Sequence, residues 1–183
     1  MSIYTYGVEN VAVTKKGIVR TTNLHATYAG HLHDVVAAVE LENGMNVKIG
    51  DHVTAEGREC VAGTFPKLTD EIVLIADVVK IYDASTSARA AEYNFSIPAN
   101  KPAKGYQIIA ADKFGVADYM FTTKVGDKPA IGNYVVVDGN GKWKEQTAVP
   151  AKDATGFIGK IYGYDSGDFE TIVLVEVLQN VQL

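Results

Sequence analysis

Nearly every stretch of this chain with a regular pattern is a short β-rich run closed by glycine, aspartate or asparagine, and helical periodicity is scarce. Residues 8–14 and 18–22 flank Lys15-Lys16-Gly17, the pattern of two strands around a tight turn. Further strands are predicted at 33–41, 46–55, 71–82, 105–110, 113–123, 131–138, 155–164 and 170–178, most of them carrying Val, Ile, Tyr or Thr. One short helix is predicted over 85–92, where Ser85 or Thr86 can cap an Ala-rich turn that only packing would hold. Strands at this spacing, separated by turn residues, predict an all-β barrel or sandwich in place of a parallel sheet with crossover helices.

The runs are also partly repeated. Ile49-Gly50-Asp51-His52-Val53-Thr54-Ala55-Glu56-Gly57 aligns without a gap on Ile131-Gly132-Asn133-Tyr134-Val135-Val136-Val137-Asp138-Gly139, each reading as turn, strand, turn. Leu74-Ile75-Ala76 with Lys80-Ile81-Tyr82-Asp83 is echoed by Phe157-Ile158-Gly159-Lys160-Ile161-Tyr162, and Tyr164-Asp165 closes the second copy. The expected organisation is two related β units, 1–83 with an N-terminal arm and 105–183, joined by a connector over 84–104. Pro98 and Pro102 in that connector disfavour helix and interrupt a central strand.

Composition narrows the function classes. A chain of 183 residues with 47% hydrophobic content can bury a core without covalent staples. The formal net charge is −5 and the longest basic cluster is Lys15-Lys16, so no nucleic-acid partner is expected: a cationic patch able to displace counterions is not evident. With Cys60 as the single cysteine, an intrachain disulfide or a cysteine-based zinc site has no partners, which fits a reducing compartment. Met1-Ser2-Ile3-Tyr4-Thr5-Tyr6 lacks a basic region followed by an apolar run, and no segment reaches the roughly eighteen apolar residues of a membrane span. Neither a secretory leader nor a membrane partner is expected.

Candidate chemistry is thin. His31 and His33 would share one face of a strand as a two-histidine metal arm, with His52 as a distant third ligand and Asp34 pointing the other way; polar surface histidines are the competing account. Cys60 has no local catalytic signature and suits a buried small hydrophobe, and no Gly-x-Ser-x-Gly elbow occurs. Gly139-Asn140-Gly141-Lys142 and Gly156-Phe157-Ile158-Gly159-Lys160 lack phosphate-loop spacing and precede no helix. Asp165-Ser166-Gly167-Asp168-Phe169-Glu170 lacks the ligand ladder of a calcium loop and reads as a solvated hairpin turn. Glu40 and Glu42 alternate with Leu41 as the wet face of a strand, and Asp70 with Glu71 is the other carboxylate pair. Tyr4, Tyr6, Tyr28, Tyr93 and Tyr106 lie near termini, turns or the connector, where tyrosines serve either as interface residues or as barrel-end packing. No catalytic site, cofactor or metal is expected, and the chain is read as a non-enzyme.

Three elements carry a resemblance. Tyr4-x-Tyr6-Gly7-Val8-Glu9-Asn10-Val11-Ala12-Val13, Asn43-Gly44-Met45-x-Val47-x-Ile49-Gly50-Asp51 and Ile131-Gly132-Asn133-Tyr134-Val135-Val136-Val137 are similar to small head proteins of tailed bacteriophages, the decoration or cement proteins that coat an assembled capsid. The resemblance implies a β-rich homo-oligomer, made in the host cytoplasm, that binds the major capsid protein on the virion surface and brings no catalytic residues. With it goes the expectation that residues 3–13 contribute to docking, Tyr4, Tyr6, Val8, Val11 and Val13 foremost, since a terminal β segment can add to an exposed sheet edge. The alternative is a ligand- or carbohydrate-binding β module, for which Trp143 would be the sugar platform.

Overall fold

Backbone pairing, rather than helix, organises this chain, and two turns show why. At Glu56-Gly57 both residues have positive φ (51° and 75°) and Ala55 pairs with Arg58, the two-residue type I′ loop whose twist matches the flanking strands. At Gly44 and Gly132 (φ 85° and 92°) the backbone turns through a region open to glycine just before a strand begins. The structure, a computed structural model, describes residues 15–25, 31–80, 92–166 and 170–183. It is nearly all β, and the complete helical turns among the described residues are two 3-10 turns, Glu92–Asn94 and Asp118–Met120.

In chain order the strands are β1 (Val19–Asn23), β2 (Leu32–Ala37), β3 (Asn46–Ala55), β4 (Arg58–Thr64), β5 (Val73–Ile75), β6 (Pro102–Gln107), β7 (Lys113–Ala117), β8 (Phe121–Thr123), β9 (Tyr134–Val137), β10 (Trp143–Gln146), β11 (Phe157–Ser166) and β12 (Thr171–Asn180). Strands β2-β4-β3-β5-β6 close a barrel. The other seven form a sheet in the order β1-β7-β12-β11-β9-β10-β8. Its strands β7 and β8 pair with β12 and β10 respectively, yet they follow each other in the chain through the 3-10 turn, so this sheet also curls back on itself into a second barrel that is not closed by hydrogen bonds all the way round.

The two bodies share one register. Gly44 N donates to Ile75 O and Ile75 N to Met45 O; Gly132 N donates to Ile161 O and Ile161 N to Asn133 O. Val47 opposes Val73 where Val135 opposes Gly159, and Ile49 opposes Gly63 where Val137 opposes Trp143. The parallel pairs match as well, Ala37 with Gly63 and Phe121 with Trp143. His33 faces Gly105 as Phe114 faces Val175. Carried along the first strand, this register makes Val36 equivalent to Ala117 and Ala37 equivalent to Phe121, so the 3-10 turn Asp118–Met120 is an insertion in the second barrel's first strand.

One strand departs from the plan. In the first barrel Val35 is flanked by β6 on one side and by Val61 of the long β4 on the other. Its counterpart Val116 is flanked by β12, but β10 is too short to reach it, and β1 fills that flank by pairing Val19 with Val116. A strand from before the first barrel thus completes the second.

The interior of both bodies is one continuous hydrophobic cluster, running from Ile18, Val35 and Leu74 to Phe114, Trp143 and Val175. Trp143 lies at its centre, with ring centroids 5.4 Å from Phe114 and 5.1 Å from Phe157, and its indole N–H donates to Gly44 O at 2.8 Å across the seam. Asn46 and Asn180 stitch the same seam, Asn46 donating to Gly141 O and Lys142 O, and Asn180 accepting from Ile72 N while donating to Ile72 O and Ile108 O.

Several sequence expectations change. At Gly17 a β-carbon would collide with Asn43 O and Met120, so glycine is required by close approach; residues 8–14, the other strand of the expected hairpin, lie outside the described residues. The strand predicted over 71–82 is cut to β5, because Ala76 donates to Lys104 O and Asp77 is held by the Asn43 amide. The run over 113–123 is broken by the 3-10 insertion, and β4 and β10 were not anticipated. Of the predicted helix, 85–91 lies outside the described residues and Glu92 begins a 3-10 turn. Two strands cross the division drawn at the connector: β6 takes up Pro102, at its first position where a missing N–H is tolerated, and β1 joins the second barrel. The repeat is present in the backbone but in another register, since Gly44, not Gly50, is the counterpart of Gly132, and Ile75 that of Ile161.

Candidate functional site

The residues expected to dock, Tyr4, Tyr6, Val8, Val11 and Val13, lie outside the described residues, as does Tyr28. The histidines do not assemble. His31 is exposed ahead of β2, His52 stands on the exposed β3–β4 hairpin 3.5 Å from Glu59, and His33 occupies the barrel position that Phe114 fills in the second body. Among the described residues no three of His, Cys, Asp and Glu are grouped to hold a metal ion, and no helix is long and apolar enough to cross a membrane. Cys60 is buried in β4 with its thiol 3.7 Å from Arg58 O. Trp143 is fully buried and cannot present a ring to a sugar in solution, which removes the platform named for a carbohydrate module. The Gly139–Lys142 segment is the β9–β10 turn, and Ser166 pairs with Thr171 across the acidic hairpin.

Among the described residues three carboxylates are buried, and each pins a loop. Asp70 accepts from Lys48 Nζ (2.7 Å), Lys67 N (2.8 Å) and Gln182 Nε2 (3.3 Å). Burial works against its charge, but the hydrogen bonds from Lys48, Lys67 and Gln182 outweigh it and hold the carboxyl below its usual value. Asp112 accepts from His25 N, the His25 ring and Ile109 N. Glu145 accepts from Val125 N and Ala130 N, both at 2.7 Å, and from Asn133 Nδ2 at 2.6 Å, fixing the loop between β8 and β9. A buried carboxylate surrounded by donors of this kind is a structural clasp with its lone pairs already engaged. A cleft of about 360 Å³ beside Arg58, Asp77, Lys80 and Pro98 is similarly committed: Lys101 on its wall is ion-paired with Glu56, and Arg58 faces Asp34.

A polar constellation at the surface surrounds Lys16 and Gly17. Leu41 is drawn into the core by paired backbone bonds with Ile97, which turns Glu40 and Glu42 outward on either side of it. Lys16 Nζ reaches Glu40 at 2.8 Å and Glu42 at 3.4 Å, and Gly17 N donates to Glu42 Oε2 at 2.9 Å. Lys16 N donates to Tyr93 O, and the Tyr119 hydroxyl donates to Lys16 O at 2.8 Å. Lys15 Nζ lies 5.4 Å from the Tyr93 ring and 5.8 Å from the Tyr119 ring, within cation–π range of both. The hydrogen bond to Glu40 raises the Lys16 pKa, and the bonds from Lys16 and Ser96 lower that of Glu40. Burial pushes the Tyr119 hydroxyl well above its ordinary value, so it remains a donor at any physiological pH. From sequence Glu40 and Glu42 read as the wet face of a strand; their partners Lys16, Gly17 and Tyr119 are distant along the chain, so spacing carries no signal of the meeting.

No protein-family model, curated protein or solved structure matches this chain.

Proposed function

We propose that this chain is a virion structural protein that binds the outer surface of an assembled phage capsid and stabilises it, as a decoration or cement protein. One observation carries the reading. Trp143 and the carboxylates buried among the described residues are engaged inside the body: Trp143 in the core and across the seam, and Asp70, Asp112 and Glu145 in clasping loops. What such a body offers a partner is its outer surface and its N-terminal segment. A protein that binds only the assembled lattice shifts the lattice toward the intact state by mass action, so modest contacts repeated over many copies suffice. An interface on the order of 1,000–2,000 Å² for each copy is the scale required.

The partner in this proposal is the major capsid protein, the acting form is a homo-oligomer, and docking uses residues 3–13. Deleting residues 2–10 is expected to abolish occupancy on capsids, scored by co-sedimentation and negative-stain imaging, while the circular dichroism spectrum and thermal midpoint stay as in the full chain. Undiminished occupancy by the shortened chain would refute the docking assignment, and failure of the full chain to bind its phage's capsids would refute the function.

A further inference from the structure

We infer that the outer face of the second barrel carries a binding site for a single pyranose residue of a glycan, in the hollow between Tyr162 and β1. The inference is independent of the capsid reading and starts from the register that the barrels share. One residue along from His33–Gly105 and its counterpart Phe114–Val175, strand alternation turns the side chains outward. There Asp34 faces Lys104 in the first barrel, and Gly115 faces Leu174 in the second. The first barrel fills the position with an ion pair, Lys104 to Asp34 at 3.0 Å, and Arg58 stands 3.8 Å from the same carboxylate. The second has no side chain on Gly115, and a hollow of about 220 Å³ opens beside it.

Leu174 of β12 gives the hollow an apolar floor. Strand β1, which has no place in the first barrel, brings Arg20 opposite Gly115 and Asn23 opposite Lys113, and Glu92 steadies the Arg20 guanidinium at 2.9 Å. In β11, Ile161 opposes Val175 and Gly163 opposes Leu174, so Tyr162 is the extra residue of a β-bulge, a device that re-aims a side chain. Its ring lies 5.4 Å from Lys113 Nζ, and 41% of the residue stays exposed. Burial, with Glu176 adding to it, raises the pKa of the Tyr162 hydroxyl, which therefore remains a donor. Asp165 completes the rim with an acceptor carboxylate, Oδ1 of which also takes Ser166 N. An aromatic wall, an apolar floor and a rim of mixed donors and acceptors match a pyranose, whose C–H faces are apolar and whose hydroxyls both donate and accept. Pockets for drug-sized ligands run to about 300–1,000 Å³, so this one has room for one sugar ring. A free anion would meet the Asp165 carboxylate. Tyr162 thus supplies the exposed ring that the buried Trp143 cannot.

The test titrates the full-length chain with methyl β-glucopyranoside, methyl β-galactopyranoside and methyl α-mannopyranoside, followed by amide chemical shifts. At least one of the three is expected to bind with a dissociation constant in the millimolar range, as suits a single ring, and to move the Gly115, Gly163 and Leu174 amides most. Tyr162→Ala is expected to weaken that binding at least about tenfold through loss of the stacking ring. Tyr162→Phe, which keeps the ring and loses one donor, is expected to stay within about threefold of wild type. Asp165→Ala removes an acceptor from the rim and is expected to cost about three- to tenfold, and it carries the test should Tyr162→Ala lose its fold. The inference is overturned if none of the three sugars moves these amides, if folded Tyr162→Ala (or Asp165→Ala in its place) binds as wild type does, or if Tyr162→Phe loses as much as Tyr162→Ala. Each of those results leaves the capsid reading where it stands, because capsid occupancy is measured separately.

Discussion

The two barrels share a hydrogen-bond register and fill it in opposite ways. In the first, glycine stands at 63 and 105 and alanine at 37; the second places Trp143, Val175 and Phe121 at the equivalent positions. The exchange runs the other way on the fourth strand, where Val73 is matched by Gly159. The first barrel is consequently tight around Val35: a β-carbon on Gly105 would lie 2.7 Å from Val73 and 2.8 Å from Val35, and one on Gly63 would lie 2.5 Å from Val35. The second is wide enough to enclose an indole between two phenylalanine rings. Strand pairing and turn geometry therefore set the barrel plan, and interior volume is met by compensating large and small side chains. The surfaces diverge too. Three lysines of the first barrel are ion-paired, Lys48 with Asp70, Lys101 with Glu56 and Lys104 with Asp34, whereas Lys113, Lys128 and Lys160 of the second lie over the rings of Tyr162, Tyr164 and Tyr134, with Lys124 there 3.7 Å from Asp118.

Each barrel contains a unique reporter, the only cysteine in the first and the only tryptophan in the second. The largest effect is expected from Trp143→Ala, which empties the centre of the second barrel and leaves Gly44 O without its donor. It should cost about 3–5 kcal/mol. The measurement is a urea titration followed by Cys60 reactivity toward dithiodipyridine, so that exposure of the first barrel reports damage to the second. Because the two cores are continuous, the loss is expected at Cys60 as well; an unchanged Cys60 midpoint would mean that the barrels unfold independently. Next in size is Gly105→Ala, an overpacking of the tight barrel expected to cost about 1–3 kcal/mol. Val175→Ala at the equivalent site opens space instead, and adding a methyl at Gly105 should be no more tolerated in that background. Partial rescue of Gly105→Ala by Val73→Ala, which removes the nearer of the two γ-carbons in its way, would confirm that crowding is the cause.

This compensation explains what was legible in the sequence. The all-β class and most strands follow from β-rich runs between turn residues, and β3 was placed over its full length. The repeat was visible, but an alignment led by glycines set Gly50 against Gly132, although Gly50 lies within β3 and Gly44 is the residue that turns. Core positions could not correct it, because Gly63 and Trp143, or Ala37 and Phe121, have no side-chain likeness to align. Strand β10 escaped notice for a related reason: Trp143-Lys144-Glu145-Gln146 is polar by composition, and its buried glutamate is explained only by the loop it clasps. The polar constellation around Lys16 assembles groups that are distant in sequence, so spacing gave no hint that Glu42 and Tyr119 meet there.

The smallest expected effect tests the contrast in surface charge. Asp70 and Glu40 both have folded-state pKa values below their ordinary ones: hydrogen bonds overcome burial at Asp70, and Lys16 with Ser96 acts on Glu40. A carboxylate of this kind contributes stability that is complete above its unfolded value, near 4, and lost as pH falls through the folded value. The urea midpoint should therefore fall between about pH 5 and pH 2, and Asp70→Asn, which keeps one acceptor oxygen, should flatten that acid limb while lowering stability at pH 7 by about 1–2 kcal/mol. Lys113→Met in the second barrel removes a cation held by a tyrosine ring rather than by a carboxylate, so its acid limb should run parallel to wild type. If Lys113→Met flattened the limb as much as Asp70→Asn, Lys113 would be acting through a carboxylate after all, and the distinction between paired and ring-bound cations would carry no energetic content.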